Sequence, residues 1–431
     1  MLNTPFFPAW LPRLAPMGSR TAHVVRQVRA YTLCQLESCF ALWLPKDLFP
    51  KATEKENSRD GDYTRQRTFW CMLWQALNPG APGREVVRQL QALFSLEGGA
   101  QISENDGAYC RAKARLPVSE FRKGLAATAK AADQQAPPTT FLQGRPVKVG
   151  DGSALTLSDT GKNRKAYPPL QCPDKPSFPM MRLVVLFSLL SGAIFATAQG
   201  SLGVSELSLL SSLTRHFAAG DIFLGDRGFG NYPLIALLQY VLGVDFIGRT
   251  TRRTDGRRRL KRLARNDWLF RWKKGPRPSP WLSLSQWTGL PLEMTMRAVK
   301  GSCYRKGFRV RQVTVVTTLL DPQLYPAREI LRAYLRRWRL EMCLDDLKTT
   351  LQMEMLRGRS PEMVQKELYT RLIAHNLIRC TIAQTSAEHH VSLEASASKA
   401  AWTPYDSFPK RWLKLAPKRS VENSGPNCLK R

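Results

Sequence analysis

Histidine is scarce in this chain, five among 431 residues, and its nine cysteines include no C-x-x-C pair. That excludes a zinc-finger or zinc-ribbon scaffold, whose tetrahedral sites need closely spaced thiolate and imidazole ligands. The cysteines read instead as reduced, mainly core thiols of a cytosolic protein. An apolar stretch of membrane-spanning length is also missing. The longest run, 183–198, is too short and is interrupted at Ser191-Gly192, so it reads as two buried strands joined by a tight turn. The N-terminal MLNTPFFPAWLPRLAPMGSR has no uninterrupted apolar segment behind a basic start, so no signal peptide is expected. Acidic residues are few as well: 34 Asp and Glu stand against 65 Lys and Arg, a formal charge of +31. Self-repulsion of that size is relieved by a polyanion, so nucleic acid is the expected partner, with a merely basic, ribosome-associated protein as the alternative.

The length accommodates two or three domains. Residues 1–20, rich in proline and aromatics, read as an arm. An amphipathic helix is expected over 22–44, ended by Pro45, then a polar loop over 51–67 and short helices near 68–77, 84–96, 103–114 and 119–132. Arg111, Lys113 and Arg115 follow Tyr109 in a pattern that suits a helix-turn-helix type DNA-binding unit; a helical bundle with a solvated basic face is the other reading. The segment 134–140 (QQAPPTT) is a linker by composition.

From Arg145 the pattern changes to strands. PVKVGDGSALTL gives an interior strand running into a turn at Asp151-Gly152-Ser153. The strand pair of 183–198, a helix over 205–217, a short strand stopping at Asp226, a helix over 233–241 and a strand over 245–249 follow. Between Arg249 and Arg277 stand thirteen basic residues and only Asp255 and Asp267, with Trp268, Phe270 and Trp272 alternating through the second half. Alternating aromatics imply short strands, and exposed aromatics among arginines would suit contact with nucleic-acid phosphates and bases, Arg253 and Arg258 among the contacts.

After a strand over 308–319 and Pro326 comes a long helix-forming run. At about 100° per residue, Tyr334, Arg337, Glu341 and Lys348 lie within about 60° of arc. Beside them Leu340, Leu344, Leu347 and Leu351 form an apolar stripe. The helix therefore buries one edge and carries a mixed-charge row next to it.

The spacing Y-x2-R-x3-E-x6-K, met by these four residues, resembles the signature of the IS4 family of DDE transposases. So do Asp151-Gly152-Ser153, matching the family's D-G-[ST], and Asp226-Arg227-Gly228-Phe229, matching its D-R-G-[FY]. The resemblance spans about 143 to 379. It implies an α/β, RNase H-like catalytic core with a β-rich insertion, preceded by a mainly helical N-terminal DNA-binding domain. The boundaries are 1–140 for that domain and linker, 141–250 and 308–393 for the two parts of the core, 251–307 for the insertion and 394–431 for a basic, irregular tail. Members more often continue with a regular helix where this tail begins, which leaves open an altered end and an impaired protein.

Phosphodiester cleavage needs a strong nucleophile and neutralisation of developing charge, which two hard cations held by three carboxylates supply. Asp151, Asp226 and Glu341 fit that inventory, with two Mg²⁺ expected and Mn²⁺ as a substitute. Asp345, one turn beyond Glu341 on the same face, competes for the third place; the signature spacing selects Glu341. Asp159, Asp221 and Asp245 read as loop or strand-end residues. Arg337 and Lys348 either hold the helix face through ion pairs or clamp a phosphate. Tyr334 either packs in the core or meets the DNA end, and Trp338 either packs or stacks on a displaced base. Arg227 adjoins the second aspartate as a further DNA contact. The implied activity is cleavage at insertion-sequence ends through a hairpin intermediate and strand transfer into target DNA. The implied partners are double-stranded terminal repeats and target DNA, bound by a homodimer without membrane association, in the bacterial cytoplasm at the nucleoid. A nuclease lacking strand transfer, and a non-catalytic DNA-binding relic, are the alternatives.

Overall fold

The computed structural model describes residues 24–50, 61–96, 98, 101–169, 177–251, 254, 259–303 and 311–388; the side chains of 302, 303, 311 and 338–346 lie outside that description. Up to residue 135 the described chain is helical: α1 (24–28), α2 (Leu33–Phe40), α3 (Arg65–Leu77), α4 (Gly83–Leu96), α5 (Gly107–Arg115) and α6 (Val118–Gln135). The single helix expected over 22–44 is instead two. Thr32 starts a new helix with a capping box: its hydroxyl accepts from Gln35 N at 3.3 Å, and Gln35 Oε1 accepts from Thr32 N at 2.9 Å. Satisfying these end donors locally favours a break over a continuous helix.

The second part alternates strands and helices: β1 (Val147–Leu157), α7 (Gly161–Ala166), β2 (Met180–Ser188), β3 (Ile194–Ser201), α8 (Glu206–Ser212), β4 (Ile222–Gly225), α9 (Tyr232–Ala236) and β5 (Asp245–Gly248). Then come β6 (Arg259–Ala264), β7 (Asp267–Lys273), α10 (Leu284–Gly289), β8 (Glu293–Cys303), β9 (Arg311–Thr317), α11 (Ala327–Thr350), β10 (Met355–Leu356) and α12 (Pro361–Glu388). The strands form one mixed sheet in the order β3-β2-β1-β4-β5-β9-β8-β7-β6, with β10 added beside the far end of β1. β1, β4 and β5 run parallel, β2 and β3 antiparallel to them, and β9 to β6 form an antiparallel meander. β1 does not turn at Asp151-Gly152-Ser153 as expected. It pairs with β2 from Lys148↔Ser188 to Thr156↔Met180, and that continuous antiparallel ladder carries the backbone straight through the motif.

Strand alternation divides the core between the two faces of the sheet. Val147, Val149, Leu183, Val185, Ile222, Leu224 and Ile247 pack with the N-terminal helices, α11 and α12 on one face. Val184, Leu186, Phe223, Phe246 and Val316 pack with α8 and α9 on the other. The helices before residue 135 thus share a core with the sheet. α12 is their common centre, buried around its circumference from Val364 to Ser386. Its Asn376 donates to Ile194 O (2.7 Å), Leu125 O (3.2 Å) and Thr128 Oγ1 (3.2 Å) and accepts from Ile194 N (2.8 Å), joining α6, α12 and β3 through one amide.

The aromatics of the basic region are not exposed as expected. Trp268, Phe270, Trp272 and Trp287 are buried in the second core, because β7 is paired on both edges and its alternate positions face inward. Arg271 and Lys273 occupy the outward positions, and Arg259, Lys261 and Arg262 lie exposed on the outermost strand, β6. The charge is therefore at the surface without an aromatic stacking platform. No described helix is long and apolar enough to cross a membrane.

Candidate active site

The pairing of β1 with β4 places the two predicted aspartates. Its last partners are Val149↔Leu224; Asp151 and Asp226 each follow by two residues, so they stand in register where β4 ends beside the middle of β1. Their pleat positions match Val149 and Leu224, whose side chains lie on the face covered by α11 and α12. Neighbouring strands run roughly 4.8 Å apart, a separation at which two carboxylates can share one cation. Carboxyl ends of parallel strands are also where open α/β sheets place their ligands.

Local backbone fixes both groups. Asp226 Oδ1 accepts from Gly228 N at 2.8 Å and Phe229 N at 3.1 Å, while Oδ2 has no hydrogen-bond partner among the described residues. Gly230 closes this turn under Arg249: a Cβ there would lie 1.6 Å from the Arg249 carbonyl oxygen. Asp151 Oδ1 accepts from Gly152 N at 3.0 Å. The Glu206 carboxylate lies close over Gly152, where a Cβ would meet it at 2.6–2.8 Å. Glu206 is thus a third carboxylate beside β1, on the opposite pleat face. Sequence reading missed it, and the only signal was its place just after the capping Ser205 of α8.

α11 crosses the aspartate face. Glu329 in its first turn accepts from Leu142 N at 2.7 Å, tying the helix to the segment that leads into β1. Ile330, Ala333, Tyr334, Leu347 and Leu351 are buried in the shared core, as the expected apolar edge requires. Tyr334 is core-packed at 6 % exposure, with the Arg337 guanidinium carbon 5.5 Å from its ring centroid. Arg337 is itself buried and Lys348 half-buried. Glu341 lies on α11 seven residues after Tyr334 and seven before Lys348, two turns each way and nearly in line with both. The side chains of Trp338, Glu341 and Asp345 lie outside the described residues, as do Arg253 and Arg258. Arg227 is exposed in the turn beside Asp226.

The other aspartates have structural partners. Asp221 pairs with Lys148 and Asp245 with Arg145, both at 2.6 Å. Asp159 pairs with Arg164, which holds its carboxyl below the usual range through their hydrogen bond. No described trio of His, Cys, Asp and Glu forms a metal-holding group. The donors at hand, two adjacent carboxylates without sulfur or imidazole, fit a hard divalent cation rather than zinc.

The fold is a mixed α/β sheet flanked by helices, with Asp151 and Asp226 on neighbouring parallel strands. Residues 143–377 match the family model described as Transposase DDE domain, and the chain belongs to that family. Transposase InsG for insertion sequence element IS4 of Escherichia coli (strain K12) is 26 % identical over 325 residues, covering 74 % of this chain and 70 % of InsG. The chain is a DDE transposase, of a class that cleaves DNA and transfers strands and generally uses divalent metal ions. The cryo-EM structure of the piggyBac transposase synaptic complex with hairpin DNA covers 90 % of this chain and 81 % of its own at 13 % identity, with a TM-score of 0.41, too loose a likeness to build on.

Proposed function

We propose that Asp151, Asp226 and Glu341 are the catalytic carboxylates of this transposase and hold two Mg²⁺ ions, for which Mn²⁺ can substitute. The observation that carries the reading is the register of β1 and β4, which sets the two aspartates side by side on the face crossed by the Glu341 helix. When bound, the ions supply charge neutralisation at the scissile phosphate and acidify the attacking hydroxyl. The chain's own part is positioning: the hydrogen bonds from Gly228 and Phe229 hold Asp226 Oδ1, so that Oδ2 is the oxygen presented to a ligand.

Water attack at the element's end breaks the phosphodiester and leaves a 3′-hydroxyl. That hydroxyl then attacks the opposite strand, displacing the flanking DNA and giving a hairpin that is reopened before transfer to a target. The hairpin rests on the IS4 resemblance. The core 141–250 and 308–393 is RNase H-like, with 251–307 inserted before the catalytic helix and 1–140 recognising terminal repeats. Arg227, Arg253, Arg258 and Lys348 contact DNA phosphates, with Trp338 beside them, while the buried Tyr334 and Arg337 hold the helix face, and a homodimer holds two ends in the bacterial cytoplasm, at the nucleoid. The tail 394–431 lies outside the described residues.

The test is incubation with two labelled element ends, a supercoiled target and Mg²⁺, using wild type, Glu341→Ala and Asp345→Ala. Joined end–target products from wild type and Asp345→Ala but not Glu341→Ala are expected. Cleaved ends that never join would reduce the protein to a nuclease, and cutting by Glu341→Ala would remove that residue from the trio.

A further inference from the structure

The aspartates are not the only place where the chain gathers chemistry suited to phosphate. A cavity of about 380 Å³ opens where α3 and α5 meet the loop between β10 and α12, and Lys113, Arg357, Arg359 and Arg371 line it with a single carboxylate, Glu367. That carboxylate is fully engaged. Its Oε2 accepts from Arg357 N and Gly358 N, both at 2.8 Å, and its Oε1 accepts from Arg371 Nη2 at 2.7 Å. Lys113, Arg357 and Arg359 therefore converge with no carboxylate partner among the described residues. Like charges held together cost free energy unless an anion enters.

Hydrogen bonds fix the main chain that carries Arg357 and Arg359. Thr160 Oγ1 donates to Arg359 O at 3.0 Å and Asn163 Nδ2 to Gly358 O at 2.9 Å, while Glu367 grips the loop from the other side. Gly358 packs closely on the start of α12, where a Cβ would come within 2.5 Å of Val364 N. Across the cavity, the fully buried Lys366 of α12 donates to Ala114 O at 2.7 Å and Lys113 O at 3.3 Å, fixing the end of α5. Lys113 Nζ lies 4.3 Å from the Tyr109 ring centroid, Arg357 and Arg359 are exposed beside it, and arginine's planar fork suits phosphate oxygens.

We infer that this cavity is a binding site for a DNA backbone phosphate, clamping the duplex between α5 and the 357–359 loop. The inference rests on the transposase reading and adds a place. β10 pairs with the end of β1, Leu157↔Leu356, so Arg357, just past β10, lies beside the end of β1, six steps on from Asp151. Six steps of strand cover roughly 20 Å, so the site stands apart from the aspartates on the same sheet. None of its residues belongs to the proposed catalytic set.

The experiment uses the full chain, a labelled duplex of the DNA flanking its coding sequence, and the variant Lys113→Gln/Arg357→Gln/Arg359→Gln, with thermal melting to show that it folds. Binding is measured against salt, with single neutral methylphosphonates walked along the duplex. The variant is expected to bind several-fold more weakly, its slope of log affinity against log salt shallower by about one. At one position of the walk, the methylphosphonate should weaken wild type by the same factor and leave the variant unaffected. Equal affinity and slope for wild type and variant overturn the clamp and leave the transposase reading standing. Inorganic phosphate or dAMP raising the melting temperature of wild type alone, with DNA binding unchanged, overturns it in favour of a small-anion site. Failure of wild type to bind any duplex removes both readings.

Discussion

Arg297 offers the sharpest test of how the fold holds α11. It is fully buried on β8, donating Nε to Asp267 Oδ1 at 2.9 Å and Nη2 to Asp267 Oδ2 at 2.5 Å. Its Nη1 reaches the carbonyls of Tyr325 at 2.7 Å and Asp321 at 3.3 Å, in the loop that enters α11. Arg297→Met leaves the Asp267 carboxylate, 3 % exposed, without its counter-charge. Breaking such a buried pair costs about 3–5 kcal/mol, and the stranded loop carbonyls add roughly 1–3 kcal/mol. Arg297→Met/Asp267→Leu removes the buried charge as well, so it should recover the first cost and retain the second. Urea unfolding followed by tryptophan fluorescence reads both through the shift in midpoint at constant slope. A single variant within about 0.5 kcal/mol of wild type, or a double variant no more stable than the single, would refute the assignment.

Burial, then the neighbouring Arg379, pushes His375 down to about 4. Because its folded value lies below the unfolded value of about 6.5, the stability it contributes is complete above that pH and is lost as pH falls towards 4. The loss should reach about 2 kcal/mol by pH 5, and His375→Gln should flatten that part of the profile; parallel profiles for the two proteins would contradict the burial. Asn376→Ala strands the amide and carbonyl of Ile194 and should cost about 2–4 kcal/mol, measured as a drop in urea midpoint. Gly230→Ala forces a methyl group into the Arg249 carbonyl and should sharply reduce cleavage through displacement of the Asp226 turn, whereas Gly80→Ala, which meets nothing within 4 Å, should cut at the wild-type rate.

The strand–helix alternation from Arg145 onward was legible because buried strands there are short apolar runs bounded by Gly, Pro and Asp. Asp226 was legible for the same reason: apolar Ile222–Gly225 stops at it. The continuation of β1 past Asp151 was hidden, since Asp-Gly-Ser has turn chemistry and the ladder to β2 that overrides it involves residues about thirty positions away. The insertion misled in another way. Its aromatics alternate as they would on an exposed stacking face, and only the pairing of β7 on both edges turns them into core. The shared core of the N-terminal helices rests on α12, whose apolar and polar residues are buried together. A helix buried all round leaves no one-sided stripe to mark what packs against it. Lys113 and Arg359 are far apart in sequence, so their common cavity exists only in three dimensions.

The register of β1 and β4 makes the most direct demand on chemistry. Asp226→Asn keeps the side chain's shape and the Oδ1 acceptor but removes the charge. Purified wild type and variant would be given the same labelled element end, with binding measured in Ca²⁺ and cutting in Mg²⁺. The account predicts equal binding and at least a hundredfold slower cutting by the variant, on the order of 3 kcal/mol in the barrier. Cutting by Asp226→Asn at the wild-type rate, or binding without any cutting by wild type, would contradict it.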